Sequence, residues 1–485
     1  MPDNALKLGL NRPEYVANPD LLLVALAGRC FSMQVPAGEA LVYRNIRPQT
    51  SGGTLHYRET SPLANREENF SEWTETLEDC GIRTYDGDLS DVARALAASM
   101  VSSGAERSLS VNALPITAHT SLLQQPSGMM RKKGPPNFAL ILEQLYALGA
   151  PEASSVSGLW DTAVTRRLEI DPLARAVDAT VARSLLAGLE VDRSEPGWEV
   201  GQRLDQLQFG PLSTSILNWT KELERNRTFG TPMVWFARNW GRITSTAWVE
   251  ALPARRWVDW ASTVLRHALA FGFLWEARFF GQLSERVLRH DVPITEDSLR
   301  DCLNSSSRLL SWRDSDLDRG SRAVSLKQDV IRGLRAMRFF EAYESSDGDD
   351  PIATLNEIRR NPEYRQNLKT QFADRQKFQK DENMWEAIRY ALLIRNEVGV
   401  LADHYGLLRA NHSWLYPDPG AEWIVVMASL CAGPDGYTTA GALLSELNLL
   451  GIDVSLPELL RLVEASGLAD LAADADDAVI IESAF

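Results

Sequence analysis

Between Arg359 and Lys380 the chain sets seven basic side chains, Arg359, Arg360, Arg365, Lys369, Arg375, Lys377 and Lys380, against only Glu363 and Asp374. Tyr364, Phe372 and Phe378 are interleaved with them. Cations that meet phosphates, alternating with rings that stack on bases, suit the tracking of a DNA or RNA strand. The same residues also fit a helix whose wet face carries Arg365, Lys369 and Gln376 and whose inner side carries Leu368, Phe372 and Phe378. Lys221, Arg225, Arg227, Arg238 and Arg242 with Trp235 and Trp240 form a second basic and aromatic group, and residues 131–133 (Arg-Lys-Lys) a third.

The opposite charge gathers at the other end. Residues 418–485 hold twelve acidic side chains and one basic one, Arg461, so they carry -11 of the net charge of -15. This piece reads as a winged helix: a helix over 422–430, a Gly-Pro-Asp-Gly turn at 433–436, and a second helix capped by Thr438 or Thr439 and running to Leu450. Gly451-Ile452-Asp453-Val454 turns into a third helix. Ser455, with Pro457 in the first turn and Glu458 three residues on, makes a capping-box pattern. Gly467 ends that helix, and Ala478-Val479-Ile480-Ile481 is a wing strand.

A groove-reading helix needs basic side chains toward phosphate. Here the third helix carries Glu458, Arg461 and Glu464, and the wing carries Asp470, Asp474, Asp476 and Asp477. These repel a polyanion, and Leu459, Leu460, Leu462 and Val463 favour packing. The module therefore reads as a protein-docking element, with Glu458, Arg461, Leu462, Asp474 and Asp476 as its partner-binding candidates.

The chain has no GxxxxGK[ST] phosphate loop, no GxSxG elbow, no HExxH and no GxGxxG opening a helix. Its six histidines (His56, His119, His267, His290, His404 and His412) are scattered without ligand spacing, and His267 reads as a core-edge residue. Residues 314–320 (Asp-Ser-Asp-Leu-Asp-Arg-Gly) resemble the start of a calcium loop, but Gly320 comes one place late and Ser325 stands where a bidentate Glu is needed. No metal and no cofactor are expected. Cys30, Cys80, Cys302 and Cys431 form no CxxC pair and read as buried free thiols.

The elements that must hold these residues are mostly helical. Residues 1 to about 65 are irregular with some strand, at Phe31–Val35, Ala40–Tyr43 and Thr54–Tyr57 after Ser51-Gly52-Gly53. Helical spacing then predicts helices over 88–100, 138–148, 172–189, 213–224, 255–290, 295–310 and 326–343. The 255–290 piece is apolar nearly all round, which marks a central helix, with Gly272 or Gly281 as a place to bend. Seven of the fourteen tryptophans lie between Trp219 and Trp275, a heavy aromatic core. No apolar run is long enough for a signal peptide or a membrane span. Arginine outnumbers lysine by 42 to 8, as a GC-rich genome would also give.

The expectation is a mainly α, multi-domain protein. It comprises a mixed α/β N-terminal region with linker (1–135), a Trp-rich helical domain (136–346), a basic helical segment (352–412) and an acidic winged-helix-like domain (418–485). Its expected role is a non-catalytic subunit or adaptor of a bacterial, cytoplasmic multi-protein assembly acting on nucleic acid, with protein partners. The alternatives are direct DNA or RNA binding through the basic helices, and a nuclease-like enzyme without a recognisable motif.

Overall fold

The computed structural model describes residues 10–13, 20–34, 46–51, 54–59, 74–83, 87–92, 117, 138–150, 155–185, 231–289, 291–306, 308–312, 321–343, 350–373, 379–394, 403–411, 414–469 and 478–485. Within them the chain is mostly helical. The first half contains α1 (Asp20–Gln34), β1 (Ile46–Ser51), β2 (Thr54–Glu59), α2 (Phe138–Gly149), α3 (Val156–Ile170), α4 (Pro172–Leu185), α5 (Pro232–Ile243) and α6 (Thr246–Ala251). Then come α7 (Ala254–Leu288), α8 (Glu296–Ser306), β3 (Leu310–Trp312), β4 (Ser321–Arg322), α9 (Ala323–Ala342), α10 (Pro351–Arg360), α11 (Pro362–Ala373) and α12 (Gln379–Leu392). The last part holds β5 (Leu408–Asn411), β6 (Trp414–Pro417), α13 (Trp423–Ala432), β7 (Tyr437–Thr439), α14 (Ala440–Leu450), β8 (Ile452–Val454), α15 (Leu456–Ala465) and β9 (Ile480–Glu482). Short helical turns at 74–79 and 89–92 are left unnumbered.

The 35-residue α7 is the axle. At 1.5 Å per residue it runs about 52 Å. Its periodic apolar residues cover nearly the whole circumference, from Trp257 and Trp260 to Phe280 and Leu283, and all of these are buried. Such a helix is stable only when surrounded, and α1, α2, α5, α8, α9 and α12 all pack on it. The helix is not broken at either glycine. Gly272 and Gly281 are instead contact points: a Cβ on Gly272 would sit 2.6 Å from Leu145 of α2, and Gly281 faces Gly333 of α9. The tryptophans form the core around this axle. Trp160 stacks on Trp257 with centroids 4.4 Å apart and 9° between planes, and packs beside Trp240 at 5.8 Å.

Two parts of the N-terminal and central regions depart from the sequence reading. Phe31–Gln34 lie in the last turn of α1 rather than in a strand. The preceding residues 22–27 are all buried, so tertiary packing nucleates this helix, and extending it by one turn costs little. Leu310, expected to end a helix, begins β3. Its backbone pairs in parallel with β8, Leu310 opposite Ile452 and Trp312 opposite Val454. Residues 452–454 are thus strand, not simply turn. The 54–57 strand is present as part of β2, in a hairpin with β1 that joins Ser51 to Thr54 through Gly52-Gly53.

The C-terminal piece runs helix, strand, helix, short strand, helix, strand, with β7 and β9 antiparallel. Thr439 caps α14, its hydroxyl accepting from Ala442 N at 3.1 Å. Gly451 and Gly467 take positive φ, 103° and 71°, after α14 and α15, as helix ends prefer. The capping box on α15 does not form: Ser455 makes no side-chain cap, and Glu458 turns to Arg461 (3.0 and 2.6 Å). Buried apolar side chains form one continuous cluster from Leu10 to Ile481. No helix among the described residues is long and apolar enough to cross a membrane.

Candidate interaction surfaces

The buried ionisable groups would be the first candidates for chemistry, and each is engaged within the fold. Glu143 on α2 receives Val156 N (2.7 Å) and Ser157 N (2.9 Å), the open donors at the start of α3. Glu276 on α7 takes Arg12 at 2.6 and 3.1 Å. Arg266 on α7 and Asp403 share a two-point ion pair. His267 is fully buried, with Nδ1 2.7 Å from the Thr263 carbonyl and Nε2 2.8 Å from Trp423 Nε1. An indole N–H only donates, so Nε2 accepts and the proton sits on Nδ1. Burial, with help from neighbouring Arg266, holds the His267 pKa down to about 3. This ring fastens α7 to α13 and has no nitrogen left for a ligand. Burial likewise raises the Cys30 thiol, so it stays protonated and inert. Among the described residues no group of three or more His, Cys, Asp and Glu is placed to hold a metal. The calcium-like run at 314–320 lies outside the described residues.

The basic run of residues 359–380 is divided among three helices. Arg359, in the last turn of α10, is turned inward, 8% exposed, with Nε donating to Asn356 at 3.1 Å. Arg360 is exposed and lines an open groove with Asn356, Glu357 and Asn361. On α11, Lys369 is exposed, Arg365 and Phe372 are half-buried and Leu368 is fully buried, while Gln376 and Phe378 lie outside the described residues. Lys380 falls in the first turn of α12, and Arg375 and Lys377 lie outside the described residues. In the second basic group, Arg238 and Arg242 are spent within the fold: both reach Glu446 Oε1, at 2.7 and 3.3 Å. Trp235 and Trp240 are buried. Residues 131–133, 221, 225 and 227 are outside the described set.

The acidic C-terminal piece therefore docks on its own chain first. Four of its carboxylates find arginines: Asp418 with Arg409, Glu422 with Arg256, Glu446 with Arg238 and Arg242, and Glu458 with Arg461. Phe485 adds an edge-on contact to Trp260 at 5.7 Å. Of the partner-binding candidates, Glu458 is 4% exposed, Leu462 is half-buried against the core and Arg461 is exposed. Asp474 and Asp476 lie outside the described residues.

A surface that the sequence reading did not pick out stands on the β7–β9 ribbon. Tyr437 opposes Glu482, Thr438 opposes Ile481, and Thr439 opposes Ile480. Opposed residues share a face. Thr438 and Ile481 are the inner face, both buried. The outer face shows Tyr437, 73% exposed, diagonal to Ile480, 59% exposed, and these are the two most exposed large apolar side chains among the described residues. The apolar run Val479-Ile480-Ile481 marks a strand but does not alternate, so it leaves open which isoleucine faces out.

Comparison with models of known protein families found no match, and comparisons with curated proteins and with solved structures found none either.

Proposed function

We propose that the protein is a non-catalytic adaptor subunit of a multi-protein assembly acting on nucleic acid, and that its C-terminal module docks a protein partner. The order helix, strand, helix, helix, strand, with first and last strands paired, supports a winged-helix-like reading of this module. Its third helix shows Arg461 and Glu464 to solvent while Leu459, Leu460 and Val463 are buried. That is a poor match to phosphate and a fair match to protein. The observation that carries the reading is the outward pair Tyr437 and Ile480. An aromatic and an aliphatic residue set diagonally on the outer face of a ribbon otherwise docked to the body are of the kind that anchors interfaces.

The test is recovery of the tagged full-length chain from native lysate, with mass spectrometry of what accompanies it. A stoichiometric partner that is lost from a Tyr437→Ser/Ile480→Ser double variant is the expected result. A wild-type chain that stays monomeric and partnerless overturns the reading.

A second reading rests on Arg360 and Lys369, which are exposed on α10 and α11 and make no ion pair among the described residues. Here the protein itself grips DNA or RNA through these helices. Affinity would then fall steeply with salt. Arg360→Glu/Lys369→Glu with unchanged affinity for single-stranded and duplex probes eliminates it.

A further inference from the structure

The carboxylates of the C-terminal module divide by direction. Those turned toward the helical body, Glu422 and Glu446, each meet an arginine of that body, and Asp418 meets Arg409. Those beside the outward ribbon do not. Glu482 sits opposite Tyr437 on the exposed face, and Asp435 is exposed two residues before the strand begins. Neither makes an ion pair among the described residues. The ribbon thus offers a two-residue apolar centre, Tyr437 and Ile480, with an acidic rim. This is the ordinary plan of a protein interface, an apolar middle and a polar edge, and here the two exposed carboxylates flanking the apolar pair, Asp435 and Glu482, are of one sign.

We infer that the occupant of this face is a segment of a partner polypeptide rich in lysine and arginine, whose apolar residues cover Tyr437 and Ile480 while its cations reach Asp435 and Glu482. The inference rests on the docking reading above and adds the chemistry of the partner. A second copy of this chain, placed face to face by a two-fold axis, would bring one pair of carboxylates, Asp435 and Glu482, onto a face that carries the same pair and no compensating cation of its own ribbon, which disfavours it. Nucleic acid is repelled by the same charges. The module's own contacts supply the precedent: its inward Glu422 and Glu446 are both met by arginine.

The experiment uses the full-length chain and a peptide array graded in net charge from acidic to basic at constant apolar content. Two variants accompany it: Tyr437→Ser/Ile480→Ser, which removes the apolar centre, and Asp435→Asn/Glu482→Lys, which removes the acidic rim. All four positions are exposed, so thermal melting like that of the wild type confirms that each variant folds. The expected result is binding that rises with positive charge and weakens with salt. It is lost in the first variant and about tenfold weaker in the second. Binding independent of peptide charge, binding indifferent to both variants, the absence of any binding, or self-association abolished by the first variant each overturns the inference. A lysate partner lost in the first variant but held fully by the second leaves the docking reading standing and removes only the basic segment. A wild type without any partner removes the docking reading itself.

Discussion

Arg266 on α7 holds Asp403 at two points, Nη1 to Oδ1 at 2.9 Å and Nη2 to Oδ2 at 3.1 Å, with both side chains 5% exposed. Its remaining donors reach the Ala391 and Leu393 carbonyls, at 2.5 and 3.1 Å, just where α12 ends. One guanidinium therefore closes the helix end and the 403 loop against the axle. Removing one partner of a buried pair leaves the other charge without compensation. Asp403→Ala is expected to destabilise by about 3–5 kcal/mol, read as a lowered urea midpoint. Arg266→Met/Asp403→Leu should recover part of that loss, because no charge is then stranded. A double variant worse than the sum of the singles contradicts this account.

His267 predicts an acid limb to stability. The folded pKa, about 3, lies below the ordinary value of 6.5. The unfolded chain therefore binds this proton more readily. The contribution is fully present above pH 6.5 and is lost as pH falls through the window toward 3. His267→Gln preserves a donor for Thr263 and an acceptor for Trp423 while removing the titration. Its stability between pH 6 and 4 should fall less steeply than that of the wild type. His267→Ala, which strands the Trp423 N–H, should cost about 1–3 kcal/mol for the orphaned donor alone, and parallel pH profiles of wild type and His267→Gln would refute the assignment.

Gly333 marks the closest approach of α9 to α7. A Cβ there would lie 2.0 Å from the Ala277 carbonyl oxygen, which is backbone and cannot yield without moving a helix. At Gly272 the obstacle is the end of the Leu145 side chain, which can change rotamer. Gly333→Ala is expected to destabilise by roughly 1–3 kcal/mol or more, and Gly272→Ala by less, despite the higher helix propensity of alanine. Thermal melts of the two variants rank them, and a milder Gly333→Ala is the contrary result.

Local features were legible in the sequence because they depend on near neighbours. Thr439 as a cap, Gly467 as a stop and the all-round apolar pattern of α7 each need only a few adjacent residues to interpret. The β3–β8 pairing was not legible. It rests on three residues on each side, Leu310–Trp312 and Ile452–Val454, too short for periodicity and far apart in the chain. Arg238 and Arg242 looked like free surface charge because their carboxylate, Glu446, stands 208 residues beyond Arg238. The ribbon failed for a related reason. Tyr437 and Ile480 are ordinary strand residues, and only the docking of Thr438 and Ile481 inward decides that they face out.

Glu446 offers a test of how the acidic module is held to the body. It is 8% exposed and takes Arg238 at 2.7 Å and Arg242 at 3.3 Å, both from α5. Asn239 adds a donor at 3.5 Å. Glu446→Lys would place a third cation, at a buried position, against two partly exposed arginines, where like charges repel. The module is expected to loosen as a unit, with faster amide exchange across 440–465 and new proteolytic cleavage there. The interior of α7, wrapped by helices that do not depend on this seam, should keep its protection. Arg238→Glu/Arg242→Glu combined with Glu446→Lys restores opposite signs and should return exchange toward the wild-type rate, whereas Arg238→Glu/Arg242→Glu alone should loosen the module as Glu446→Lys does. Rescue in the combined variant separates electrostatic docking from a packing defect at position 446, because a lysine that merely failed to fit would not be helped by changing the charges it meets.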